Sequence, residues 1–220
     1  MMGGMENCVY VLDTDILAQQ RTFSEWYGKM TPRRQQKTDA FRFERDKRLC
    51  LGAGILLTVA LGRQREPECL FEAHGKPYLA GGGVNFNLSH SGRFAACAVS
   101  DKAVGVDIQQ HRHFEKNLIE YVFSSQEAQR IDECETAEQR DELCTKLWTV
   151  KESIIKYLGT GMSLAPKKIR LDFDGELKAQ CSSHELGKLH FTSYDIPGYE
   201  LTVCSEYEHF SDDVLCISKL

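Results

Sequence analysis

The chain lacks a long apolar run, a Cys-x-x-Cys pair and an excess of positive charge, and each absence removes a class of protein. Its longest nearly uncharged apolar stretch, Gly52 to Gly62, is too short to cross a bilayer. Residues 1–15 hold no basic segment followed by a long apolar run, so no secretory leader is expected. The nine cysteines are odd in number and scattered. They read as reduced thiols of a cytoplasmic protein, not as a disulfide framework or a zinc site. Proline is sparse, at five residues, and no low-complexity segment or strong short repeat is visible. With 27 Lys and Arg against 32 Asp and Glu, the net charge of −5 argues against a nucleic-acid partner. What is present is ordinary for a globular protein: 42% hydrophobic and 27% charged residues over 220 positions, enough for one large domain or two small ones with a real core.

The charge is unevenly placed. Residues 29–48 carry Lys29, Arg33, Arg34, Lys37, Arg42, Arg45, Lys47 and Arg48 against Asp39, Glu44 and Asp46. That is eight minus three, or +5, so the other 200 residues carry −10. A basic island in an acidic chain suits a compact anion such as phosphate. Charge alone favours a solvated helix face.

Local patterns predict a strand at Cys8 to Leu12 and a helix opened by the capping hydroxyl of Thr31 followed by Pro32. A second helix is expected from about Asp46 to Leu61, with Leu51, Ile55 and Val59 on its apolar face. Val84 to Leu88 and Phe94 to Val99 read as strands joined by a turn, Ser89-His90-Ser91-Gly92. Val104 to Ile108 reads as a strand. Glu115 to Glu142 is acidic and helical in pattern, and Leu143 to Leu158 is an apolar-striped helix stopped by Gly159. Beyond Lys167 the chain alternates like strands, at Ile169-Leu171-Phe173, Leu189-Phe191, Leu201-Val203 and Val214 to Ile217. The expected class is α+β, with two similar halves, residues 1–101 and 102–220.

Three constellations could carry chemistry. The Asn85 to Gly92 segment offers hydroxyls, amides and an imidazole that can hold phosphate oxygens, although a hairpin turn needs no function. Gly-x-Ser-x-Gly is absent, which leaves a serine hydrolase built on Ser89 or Ser91 without support. Asp107 is a carboxylate on an apolar strand, with Gln109 on the same face. It reads either as a strand-end turn residue or as a ligand for a hard divalent cation. Trp148, Glu152 and Lys156, spaced i, i+4, i+8, share one helix flank, where Glu152 and Lys156 could equally form a surface ion pair. Together these are the parts of a phosphoryl-type transfer site.

Four blocks then stand in one order: Gly75-Lys76-Pro77, Phe86-Asn87-Leu88-Ser89-His90-Ser91-Gly92, Gly105-Val106-Asp107-Ile108-Gln109, and Trp148-Thr149-Val150-Lys151-Glu152-Ser153-Ile154-Ile155-Lys156. By these the chain resembles the 4′-phosphopantetheinyl transferases, specifically the larger Sfp type that activates nonribosomal peptide and polyketide synthases. The resemblance covers about residues 30–165. It implies two pseudo-symmetric halves, each an antiparallel sheet packed with helices, with the active site in the cleft between them. It implies transfer of 4′-phosphopantetheine from coenzyme A, a co-substrate, to a serine of an acyl, peptidyl or aryl carrier protein, with release of 3′,5′-adenosine bisphosphate. The same fold could instead serve a non-catalytic coenzyme A or carrier-protein binding module. By motif, Asp107, Gln109 and Glu152 are expected to hold magnesium (Mg2+), Glu152 to act as general base and Lys156 to neutralise phosphate charge. Ser89, His90 and Lys76 are expected on coenzyme A phosphates, and Arg34, Lys37 and Arg48 on its 3′-phosphate and adenine end. The family commonly has Glu where this chain has Gln109, which implies weaker metal binding, not loss of activity. Equal halves within one chain imply a monomer.

Overall fold

The computed structural model describes residues 7–172, 177–208, 210–211 and 214–217. In the first half a strand β1 (Cys8–Asp13) leads to helices α1 (Gln20–Tyr27), α2 (Pro32–Asp39) and α3 (Glu44–Ala60). A small hairpin, β2 (Cys69–Phe71) and β3 (Pro77–Leu79), precedes a larger one, β4 (Asn85–Ser91) and β5 (Phe94–Ser100). Thr31 caps α2 as expected, its hydroxyl accepting from the Arg34 amide at 3.3 Å. The α3 helix is buried on every side from Leu49 to Thr58, not on a single face. It therefore forms the centre of the first core, against β1 and β5.

The second half holds strand β6 (Val104–Gln110), helices α4 (Lys116–Val122), α5 (Ser125–Asp132) and α6 (Ala137–Leu158), and strands β7 (Ile169–Asp172), β8 (Lys178–Cys181), β9 (His190–Ile196) and β10 (Tyr199–Ser205). Gly159 ends α6 in a left-handed conformation, φ 68°. The acidic segment 115–142 is cut into three helices because Ser124 and Thr136 each open a new one with a reciprocal capping box. Phe173 lies outside the described residues.

Strand order is β11-β1-β5-β4 in one sheet and β6-β10-β9 in another, where β11 is Val214–Ile217. The last strand pairs with β1, and does so in parallel. Residues from beyond position 102 thus extend the first half's sheet, which is mixed where an antiparallel one was expected. One apolar cluster spans the two sheets, with Val9, Val11, Ala96 and Ala98 meeting Val106, Ile108, Leu201 and Val203.

Ser89, His90 and Ser91 do not form the expected turn. They continue β4, and the chain reverses at Gly92 and Arg93. The reason lies across the molecule. β4 and β6 are the facing edges of the two sheets, and their backbones do not pair. Instead Asn87 Oδ1, Ser89 Oγ and Ser91 Oγ accept from the amides of Val106, Ile108 and Gln110, at 2.9, 3.2 and 3.0 Å. Both rows advance two residues at a time, which keeps each on one side of its strand. Short polar side chains thereby satisfy an edge whose buried amides would otherwise be orphaned.

Candidate active site

The site begins with a close approach of helix to strand. Gly105 on β6 faces α6 so tightly that a Cβ there would fall on the Ser153 carbonyl oxygen. Two residues along the same face of β6, Asp107 is brought under the same helix. Lys156 reaches across to it, Nζ to Oδ1 at 2.6 Å, and also donates to Ser89 Oγ at 2.7 Å. The Ser89 hydroxyl donates to the same Asp107 oxygen at 2.8 Å. With the Ile108 amide as its third partner, the hydroxyl's one donor and two acceptor positions are all used. Asp107 Oδ2 is buried and has no hydrogen-bond partner.

Glu152 lies one turn before Lys156 on α6. Burial raises its pKa, the Asp107 carboxylate raises it further, and Lys156 opposes both. A carboxylate held above its ordinary range is a better proton acceptor near neutral pH.

Two cavities meet here. One, of about 350 Å3, is lined by Lys76, Asn87, Trp148, Glu152, Lys156 and Leu164 among others. The second, of about 340 Å3, is lined by Arg33, Arg34, Lys37, Phe71 and His90 among others. Gly75, Pro77 and Leu88 line both, so the cavities share a wall. His90 keeps an exposed face, yet partial desolvation, then Lys156 and Lys37, lower its pKa.

The geometry sorts the basic island. Arg34 borders the second cavity, but Glu66 holds its guanidinium at 2.7 Å and the Cys50 carbonyl takes another N–H at 3.3 Å. Lys29, Arg45 and Lys47 pair with Glu25, Asp46 and Glu44. Arg48 lies off both cavities, against Asp15 at 3.4 Å. Lys37 and Arg33 remain on the cavity with no ion pair among the described residues, Arg33 stacked 3.7 Å over Phe71. Arg33 was missed in the sequence, where nothing in spacing separates it from Arg34.

Residues 103–204 match the family model for the 4′-phosphopantetheinyl transferase superfamily. The 4′-phosphopantetheinyl transferase Sfp of Bacillus subtilis (strain 168) is 27% identical over 220 residues, covering 96% of this chain and 97% of that protein. A second Bacillus subtilis protein, a 4′-phosphopantetheinyl transferase, is 32% identical over 148 residues, 65% of each chain. The chain is thus similar to this superfamily over residues 103–204 and to an Sfp transferase along nearly its whole length. A solved structure, holo-[acyl-carrier-protein] synthase (AcpS) of Thermotoga maritima, is 16% identical with a TM-score of 0.39, over 46% of this chain and 61% of that one.

The residues that the resemblance singles out separate into three groups. Asp107, Glu152, Lys156 and Ser89 converge. Lys37 and His90 line the adjoining cavity. Lys76 lines the first cavity, but its ammonium donates to the Tyr157 and Val104 carbonyls at 2.9 and 3.4 Å, pinning the Gly75 turn to the second half. Gln109 shares a face of β6 with Asp107, but its amide is turned to the Gln110 carbonyl at 3.3 Å.

The donor set also bears on magnesium. Among the described residues no three His, Cys, Asp or Glu side chains form a metal cluster. Two carboxylates with substrate oxygens are, however, what magnesium ordinarily takes. An unpartnered buried oxygen, Asp107 Oδ2, beside Glu152 fits that ion better than a purely protein cage would.

Proposed function

We propose that this chain transfers 4′-phosphopantetheine from coenzyme A to a serine hydroxyl of an acyl, peptidyl or aryl carrier protein, as an enzyme of the larger Sfp type. The observation that carries the reading is the meeting of Asp107, Glu152 and Lys156 beside a cavity that shares a wall with a cationic one. A near full-length match to an Sfp protein supports the subtype. Lys37 and Arg33, whose cations are not matched by carboxylates among the described residues, receive the nucleotide end of coenzyme A, with the His90 ring beside them as a hydrogen-bonding group. Phe71 under Arg33 offers a flat apolar surface beside them.

Asp107 Oδ2 and Glu152 would hold magnesium, which draws charge from the pyrophosphate when bound. Glu152 accepts the proton of the attacking serine, directly or through water. The serine oxygen bonds to the β-phosphorus, the bond from that phosphorus to the bridging oxygen breaks, and 3′,5′-adenosine bisphosphate departs. Lys156 faces the charge that builds on the phosphate oxygens. Trp148, Leu164 and Ile155 give the first cavity an apolar wall suited to a pantetheine arm. All nine cysteines are free thiols, which suits a reducing compartment such as the cytoplasm.

Intact-mass spectrometry tests the reading. Apo carrier protein mixed with this protein, coenzyme A and magnesium gains the mass of one phosphopantetheine. Binding of coenzyme A or carrier with no mass gain across several carrier types would instead make it a binding module.

A further inference from the structure

The three rungs between β4 and β6 are alike in what they accept and unlike in what else they touch. Asn87, Ser89 and Ser91 each take one amide of β6. Ser89 alone is also tied to the charged groups of the site: it donates to Asp107 Oδ1 at 2.8 Å and accepts from Lys156 Nζ at 2.7 Å. It is buried, and no hydrogen-bonding position of its hydroxyl is left for a phosphate.

We propose that Ser89 is a positioning residue and not a phosphate contact. Its hydroxyl fixes one oxygen of Asp107 together with the Lys156 ammonium, so that the other carboxylate oxygen, Oδ2, is the one presented to the metal. The rung to the Ile108 amide anchors that hydroxyl from the opposing sheet. The register between the two halves is thereby transmitted to the carboxylate: Ser89 belongs to the first half, Asp107 and Lys156 to the second. This role rests on the transfer reading given above, and it replaces the phosphate contact expected for Ser89 by motif. Ser91 supplies an internal comparison, since it makes the same rung with no link to Asp107.

The test compares Ser89→Ala, Ser89→Thr and Ser91→Ala in three readouts: kcat and KM for coenzyme A, thermal unfolding, and manganese(II) titration followed by electron paramagnetic resonance with coenzyme A present. Ser89→Ala is expected to weaken manganese binding and lower kcat by about 10–100-fold, the usual effect of losing a group that orients a metal ligand. Its KM for coenzyme A should shift by less than about threefold, because no ground-state contact is lost. Ser89→Thr keeps the hydroxyl and should recover most of the metal affinity. Ser91→Ala should lower the melting temperature less than Ser89→Ala, since it loses one exposed rung, and leave kcat and manganese binding near wild type. A large rise in KM with unchanged manganese binding would overturn the proposal in favour of a phosphate contact. Equal effects of Ser89→Ala and Ser91→Ala would reduce both to structural rungs and overturn it too. If Ser89→Ala does not fold, Ser89→Cys, which keeps the bulk and weakens all three bonds, is read by the same criteria. Wild-type protein that neither transfers nor binds manganese would refute the underlying reading instead, so the two failures are distinct.

Discussion

Helix α6 carries two lysine–carboxylate pairs five residues apart, and they differ in how completely they are satisfied. Lys151 and Glu127 are both 0% exposed and 2.7 Å apart. The Lys151 ammonium also donates to the carbonyls of Val122, Pro166 and Ile169. Glu127 accepts from the amides of Ser124 and Leu171. This pair closes on itself and ties α4, α5 and β7 to α6. Lys156 and Asp107, 2.6 Å apart, are 26% and 7% exposed; Lys156 lines a cavity, and one buried carboxylate oxygen is left over. The same chemistry thus builds a fastener in one place and a site in the other. What distinguishes them is the unsatisfied atom and the access to substrate, not the ion pair.

The comparison can be broken in several ways. Lys151→Met removes one partner of a closed buried pair and should cost about 3–5 kcal/mol of stability, read by denaturant unfolding, while the folded fraction keeps its turnover. Lys156→Ala should do the reverse: kcat/KM falls by about 10²–10³-fold, the typical loss of one preorganised group on developing charge, with little change in Tm. Lys37→Ala should raise KM for coenzyme A roughly tenfold or more, the scale of one charged hydrogen bond, and leave KM for the carrier nearly unchanged.

The smallest effect concerns Glu152. Burial and Asp107 hold its folded pKa above the ordinary carboxylate value, so the folded state binds its proton more tightly than the unfolded state. Stability contributed by this group therefore falls as pH rises from the ordinary value through the raised one. In the absence of metal, Glu152→Gln should melt slightly higher than wild type at about pH 8, and the gap should close toward about pH 4. A gap that widened on acidification would contradict the sign.

Much of this was legible in the sequence because it is local. The helical spacing of Trp148, Glu152 and Lys156 placed all three on one cavity wall, and Thr31-Pro32 and Gly159 marked helix ends correctly. The parts that were not legible depend on distant partners. Arg34 looked like a free cation because Glu66, which holds it, is 32 residues away. Glu127 was one acid among nine in residues 115–142, and nothing in its spacing pointed to Lys151, 24 residues on. Ser89 and Ser91, the second and third members of the Asn-x-Ser-x-Ser row, read as a turn because small polar residues favour turns. The row's period of two, set between flanking strand patterns, was the available signal for a polar edge.

The central claim is that the open pair catalyses and the closed pair holds the fold. Its most direct test is the initial rate of phosphopantetheine transfer to an apo carrier by Lys156→Ala, measured where circular dichroism shows it folded. A rate lowered by about 10²-fold or more in a protein that melts like wild type is the predicted result. A folded Lys156→Ala that transfers at the wild-type rate would contradict it.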